Sequence, residues 1–350
     1  MDVRAELTYI RGQQIGVGHG MNSEVFLATD PQLAGTIVVK EIPKASLCIN
    51  PADYYREAQA MFASSHDHVV RIHYACETSD RICLAMPYYA RGSLADRLAS
   101  GPLRLSEVIR IGDGILTGLA RIHVAGFLHL DLKPTNVLFS DADVPMVADL
   151  GQACAIGSHG VTIAGPMYCF GMPPEYFLHS RAVSVESDVY QTGLTLYRMA
   201  NGDEAFDAQK PSGPWPMIAD AITQGRFPDR DAFLPHVPRA ARTVIKKALS
   251  VDPCDRYHSA TELAAALGKV SVDTDWDTYL APTGDIRWRA RPPNRTEIVV
   301  DLRGHGSHHA VESFTVSAGR MRARKKALWK SGLTRSQAMA HLQRVFPSLG

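Results

Sequence analysis

The most constraining stretch of this 350-residue sequence is His129-Leu130-Asp131-Leu132-Lys133-Pro134-Thr135-Asn136-Val137-Leu138, followed shortly by Val147-Ala148-Asp149-Leu150-Gly151. Two acids, a lysine and an amide fall close together between apolar runs. Asp131 suits the orientation of a hydroxyl and the acceptance of its proton, and Lys133 suits stabilisation of charge on a transferring phosphoryl group. Asn136 and Asp149 supply the hard oxygen ligands that Mg²⁺ prefers. Surface decoration uses the same residue types, but the flanking apolar runs argue against it, and the set comprises the parts that phosphoryl transfer requires.

Upstream, Ile15-Gly16-Val17-Gly18-His19-Gly20-Met21-Asn22-Ser23-Glu24-Val25 lies between two expected strands. Gly16, Gly18 and Gly20 would let a hairpin backbone lie close over phosphate oxygens, with its amides facing them. An ordinary glycine-rich turn has the same pattern, so the motif is weak alone. It lacks the Gly-Lys-Ser/Thr ending of a P-loop, and a strand rather than a helix follows it. Lys40 ends the apolar run Ile37-Val38-Val39, whose alternation puts its charge on an inward face that demands a partner. Glu57, in the following expected helix, is the candidate. A snorkelling lysine and a solvated glutamate are the alternative.

Short strands are expected at Gln14-Ile15, Glu24 to Ala28, Thr36 to Lys40, Val70 to Ala75 and Ile82 to Met86, with a helix from Asp53 to Ser64. Beyond Gly92 the pattern turns helical. Ile109, Ile111, Ile115, Leu116, Leu119 and Ile122 build one stripe, and a last helix from Ser259 to Leu267 stops at Gly268. The fold class is therefore α+β, with a small β-rich lobe at residues 5–90 and a larger helical lobe at 91–267. Residues 268–283 have no clean period and are expected to be a linker. Residues 284–350 are expected to form an extension with a strand at Glu297 to Leu302 and helices at Ala318 to Lys330 and Thr334 to Val345, the last capped by Thr334.

The net charge of +1 conceals an asymmetry, because residues 281–350 hold 13 Lys/Arg against 4 Asp/Glu, leaving 24 against 32 in the first 280. Arg320, Arg322, Arg324, Lys325, Lys326, Lys330 and Arg335 suit an acidic protein surface or nucleic-acid phosphates, or equally a fold-back onto the acidic first part. The six cysteines show no CxxC spacing, which excludes the commonest zinc and dithiol patterns and fits a reduced cytoplasm. No apolar run is long enough to span a bilayer, and the start of the chain does not read as a signal peptide.

Taken in order, these motifs resemble those of the eukaryotic-type protein kinase family, particularly its serine/threonine branch in bacteria. The likeness runs from about residue 9 to 267. The resemblance implies a bilobal kinase fold and ATP-dependent, Mg²⁺-assisted phosphoryl transfer to serine or threonine of a protein substrate. It implies that Lys40 and Glu57 pair, that His129-Leu130-Asp131 stands for His-Arg-Asp, and that Asp149-Leu150-Gly151 stands for Asp-Phe-Gly. Ile15, Gly16, Gly18, Gly20, Val25, Val38, Lys40, Met86, Pro87, Tyr89 and Leu138 would then line the nucleotide site. Tyr89 would supply the hinge donor, since Pro87 has no N–H. Pro173-Pro174-Glu175 resembles Ala-Pro-Glu, Ser187-Asp188-Val189-Tyr190 the start of the helix anchoring the catalytic loop, and Arg256 the partner of Glu175.

Three departures stand out. Ser23 replaces the third loop glycine, and Leu130 replaces an arginine that in many relatives receives an activation-loop phosphate. The segment Ala164 to Met172 has no threonine at the expected substrate-side position, though Thr162 and Ser158 remain candidates for modification. A small-molecule phosphotransferase and a pseudokinase-like interaction protein are the competing functions. Lys133 and the Glu175–Arg256 anchors argue against the first, and the intact set Lys40, Asp131, Asn136 and Asp149 argues against the second.

Overall fold

The computed structural model describes residues 6–16, 23–46, 55–292, 296–317, 320–323 and 326–349. Strands β1 (Ile10–Ile15), β2 (Glu24–Asp30) and β3 (Gly35–Pro43) are followed by helix α1 (Arg56–Ala63), then by β4 (Tyr74–Glu77) and β5 (Arg81–Pro87). They form one antiparallel sheet in the order β1-β2-β3-β5-β4. Register places Val25 opposite Lys40, Ile15 opposite Val25, and Val38 opposite Met86. Side chains two apart point to the same side of a strand, so these residues share one face. Ala58 of α1 packs there with Ile42, Ile82 and Leu84, which brings the helix that carries Glu57 over Lys40.

The second lobe contains α2 (Leu94–Leu98), α3 (Leu105–Val124), strands β6 (Phe127–Leu128), β7 (Val137–Phe139), β8 (Pro145–Val147), β9 (Cys154–Ala155) and β10 (Thr162–Ile163), and α4 (Pro174–Leu178). After β11 (Ala182–Val183) come α5 (Val185–Asn201), α6 (Asp203–Asp207), α7 (Trp215–Thr223), α8 (Arg239–Ala248) and α9 (Ala260–Leu267). The α3 stripe Val108, Ile111, Ile115, Leu116, Leu119 and Ile122 is buried. Each such side chain contributes roughly 1.5–3 kcal/mol relative to exposure.

Helix α3 also holds the segment that leads to Asp149. A Cβ added at Gly118 would lie 2.4 Å from the His68 carbonyl oxygen, and that oxygen accepts from Val147 N at 2.9 Å. Glycine is needed for this approach. Val70 N in turn donates to Val147 O at 2.8 Å. Val70 is thereby drawn to the second lobe, and the strand expected at Val70 to Ala75 is found instead at Tyr74–Glu77.

The extension differs more from expectation. It consists of β12 (Asp277–Leu280), β13 (Ile286–Ala290), β14 (Glu297–His305), β15 (His308–Ser317), β16 (Arg320–Ala323), β17 (Lys330–Leu333) and α10 (Arg335–Leu349). The sheet order is β12-β13-β14-β15-β16, with β17 also paired to β15. The expected division at 283/284 is corrected, because β12 lies inside the supposed linker and pairs along its length with β13. The expected helix from Ala318 to Lys330 is also corrected. Pairing of Arg320–Ala323 and Lys330–Leu333 with β15 outweighs the helical propensity of an Arg/Lys/Ala-rich stretch.

Among the described residues of the extension, helix is confined to a single 3₁₀ turn at Lys326–Leu328 and to α10. Thr334 caps it, accepting from Gln337 N at 3.3 Å while Thr334 N donates to Gln337 Oε1 at 3.0 Å. Trp288, Ile298, Val300, Leu302 and Val311 pack against Ala338, Leu342, Val345, Phe346 and Leu349 of α10. The extension is docked on the helical lobe: Arg104 Nη2 bonds Asp277 Oδ2 at 2.7 Å, and Ser106 N bonds Asp275 Oδ1 at 3.2 Å. At these contacts the extension's side is acidic, the reverse of the electrostatic fold-back its net charge suggested.

Candidate active site

The loop after β6 carries Asp131 and is fixed from below by α5. Asp188, fully buried, accepts from His129 N at 2.9 Å and Leu130 N at 2.8 Å, and its Oδ2 lies 2.7 Å from His123 Nε2. Burial raises the Asp188 pKa, but the bond and charge of His123 and the loop amides outweigh it, and the net shift is downward. Gln191, one turn further along α5, accepts from Leu132 N at 2.9 Å and donates to Leu130 O at 3.0 Å. Leu130 itself adopts φ 62°. His129 Nε2 bonds Ala148 O at 3.0 Å, and its Nδ1 accepts from Asp131 N at 3.2 Å. These bonds define the Nε2–H tautomer and tie the loop to the segment between β8 and Asp149.

Within this frame Lys133 Nζ lies 3.0 and 2.8 Å from the two Asp131 oxygens. Asn136 Nδ2 donates to both Asp131 O and Asp131 Oδ2 at 2.8 Å. The amide nitrogen of Asn136 is therefore spent on Asp131, which leaves its Oδ1 on the opposite side of the group.

A second cluster joins the two lobes. Lys40 Nζ donates to Glu57 Oε1 at 2.8 Å, Glu57 Oε2 at 3.0 Å and Asp149 Oδ1 at 2.7 Å. Burial lowers the Lys40 pKa, but the Asp149 and Glu57 charges prevail and raise it overall. Asp149 is raised by burial, yet Lys40 and the Gly151 amide bring it down to about 2. For Glu57, burial prevails over Lys40 and the net shift is upward. One ammonium between two carboxylates leaves a local charge of −1. A Cβ at Gly151 would lie 3.0 Å from both Lys40 Nζ and Asp149 Oδ1, so any side chain there would press on this cluster.

Asn136 and Asp149 fit Mg²⁺ by donor chemistry. Among the described residues there is no group of three or more His, Cys, Asp or Glu that could hold a metal ion. One carboxylate and one amide oxygen suit an ion that draws its remaining ligands from phosphate and water. The expected nucleotide-site residues Ile15, Val25, Val38 and Met86 lie on the Lys40 face of the sheet. Pro87 closes β5, and Leu138 comes from β7 below. Met86, Tyr89 and Leu138 pack against the same core. Gly16 has φ 63°, the left-handed region; Gly18 and Gly20 lie outside the described residues.

Glu175 and Arg256 are both buried and form a two-pronged pair at 2.9 and 2.7 Å, with Ser187 Oγ donating to Glu175 Oε1 at 2.7 Å. Gln191 and Tyr168 were not singled out from sequence. Gln191 directly follows the motif Ser187 to Tyr190, and Tyr168 lies in the departing segment Ala164 to Met172, so their positions were visible although their contacts were not.

Residues 9–266 match the family described as Protein kinase domain. The chain is 28% identical over 266 residues to the serine/threonine-protein kinase PrkC of Bacillus subtilis, covering 74% of this chain and 40% of that protein. It is 29% identical over 267 residues to the probable serine/threonine-protein kinase PknB of Lactococcus lactis, covering 75% of this chain and 41% of that protein. The chain thus spans about two fifths of the length of these curated relatives.

Proposed function

This chain belongs to the protein kinase family, and from that premise we propose that it transfers a phosphoryl group from ATP to serine or threonine hydroxyls of a protein substrate. The observation that carries the reading is the pair of clusters, Asp131 with Lys133 and Asn136, and Lys40 with Glu57 and Asp149. The names of the bacterial relatives support serine/threonine specificity.

In this reading Asp131 orients the hydroxyl and accepts its proton at a carboxylate oxygen, while Asn136 holds that carboxylate in place. Lys133 sets a positive charge beside the reacting oxygens. Lys40, anchored by Glu57, presents its ammonium to phosphate oxygens, and Asn136 and Asp149 hold the metal. ATP with Mg²⁺ supplies the phosphoryl donor and neutralises charge on it. Asp131→Ala and Asp149→Ala, each shown folded by its melting transition, test this: both should lose most turnover, and full turnover in either would reject its role.

The described cysteines Cys76, Cys83, Cys154, Cys169 and Cys254 are free thiols, which supports a reducing, cytoplasmic setting. No helix among the described residues is long and apolar enough to cross a membrane. In the extension, Arg287 and Arg303 are committed to buried Asp301. Arg320, Arg322, Lys326 and Lys330 are exposed along β16 to β17. That edge is the part suited to an acidic protein or nucleic acid, and binding there should weaken steeply as salt rises.

A further inference from the structure

Tyr168 lies in the activation segment, and its ring faces Lys133, with Nζ 5.3 Å from the ring centroid. That separation lies inside the range in which an aromatic face attracts an ammonium, about 6 Å. Lys133 directs its ammonium at both Asp131 oxygens, and its four-carbon stem would otherwise be free to swing. The ring is exposed on one side and braced on another by Phe170. Phe170 meets it edge-on at 6.2 Å and packs in turn on buried Phe227 at 5.6 Å.

The backbone beneath Tyr168 is tied to the catalytic loop. Gly171 N donates to Tyr168 O at 3.0 Å, and Gly171 O accepts from Gln191 Nε2 at 3.1 Å. The same Gln191 side chain bonds Leu130 and Leu132. One buried amide therefore sets the distance between the turn that carries Tyr168 and the loop that carries Asp131 and Lys133.

We propose that Tyr168 is a positioning residue for Lys133: its ring holds the ammonium against Asp131 when the activation segment is seated, so that segment placement and catalytic geometry are linked without a hydroxyl or a phosphate. The proposal rests on the phosphotransfer reading for its catalytic consequence. The contact itself stands on geometry.

The test uses the full chain in two measurements. In proton NMR without nucleotide, the ring should shift the Lys133 ε-methylene resonance upfield, assigned by its loss in Lys133→Arg. The shift should disappear in Tyr168→Ala and persist in Tyr168→Phe. In turnover assays Tyr168→Ala should lower kcat about tenfold, equivalent to ~1.4 kcal/mol, with KM for ATP little changed, and Tyr168→Phe should restore it. An unshifted resonance in a chain that transfers phosphate overturns the Tyr168 proposal alone, as does equal kcat in Tyr168→Ala and wild type. Equal losses in the alanine and phenylalanine variants would assign the effect to the hydroxyl and also overturn it. A shifted resonance in a chain that transfers no phosphate overturns the functional reading and the catalytic role that depends on it.

Discussion

The indole Nε1 of Trp288 donates to Nδ1 of His236 at 3.0 Å, joining the appended sheet to the helical lobe through a bond buried on both sides. His236 Nε2 faces Thr278 Oγ1 at 3.4 Å, and Phe346 stands edge-on to Trp288 at 5.2 Å and to His236 at 5.9 Å. Because indole nitrogen only donates, Nδ1 must accept, and the proton sits on Nε2. A second proton would destroy the Trp288 bond.

The first prediction concerns acid. Burial, with a smaller contribution from Arg242, lowers the His236 pKa to about 3 from its ordinary 6.5. The folded value lies below the unfolded one, so this group's stabilisation is complete above about pH 6.5 and is lost as pH falls from there toward 3. The melting temperature should drop across that window. His236→Gln should be less stable at pH 7.5 yet show a shallower acid slope, and an identical slope would remove His236 as its source.

Cutting the chain after Thr283 gives a second prediction. The cut separates β12 from β13 and removes Trp288 and Phe346 from over His236, exposing buried apolar surface on the helical lobe. The truncated protein should melt several degrees lower than the full chain. Equal melting temperatures would show that the extension is an independent appendage.

Arg256 and Glu175 supply the third. Removing one partner of a buried ion pair strands the other, at a cost on the order of 3–5 kcal/mol. Arg256→Ala should lose stability of that size together with turnover, because Glu175 also receives Ser187 at the start of α5. Unchanged thermal stability would contradict this account.

Leu130 gives the fourth. It is buried with Ala164, Met167, Met172, Tyr176 and Val183, so apolar packing holds the activation segment at this point. Thr162→Ala should therefore retain most turnover, whereas Leu130→Arg should destabilise the fold by burying an unpaired charge. A Thr162→Ala protein without activity would show that a phosphate is required after all.

Much of the site was legible because its chemistry is local in sequence. Asp131, Lys133 and Asn136 lie within six residues, and the short 3₁₀ helix Pro134–Asn136 turns the chain so that they meet. Lys40 was legible from strand alternation. Its bond to Asp149, 109 residues away, depends on how the lobes meet and has no local signal.

In the extension, Ile286-Arg287-Trp288-Arg289-Ala290 does carry the strand alternation, with Ile286, Trp288 and Ala290 buried, but five residues between turns were too short to stand out. The cationic run after Ala318 has helix-forming residues, and its segments Arg320–Ala323 and Lys330–Leu333 become strand because β15 pairs with them. His236 carries no local sign of its role, since Trp288, 52 residues on, creates it.

Phosphoamino-acid analysis after incubating the full chain with Mg²⁺, radiolabelled ATP and a mixed protein substrate tests the central claim most directly. Label should appear on phosphoserine or phosphothreonine with wild-type protein and should be lost with a folded Asp131→Ala variant, whose missing carboxylate is the one held by Lys133 and Asn136. Label confined to phosphotyrosine or to small molecules, or undiminished serine and threonine label with Asp131→Ala, would contradict the account.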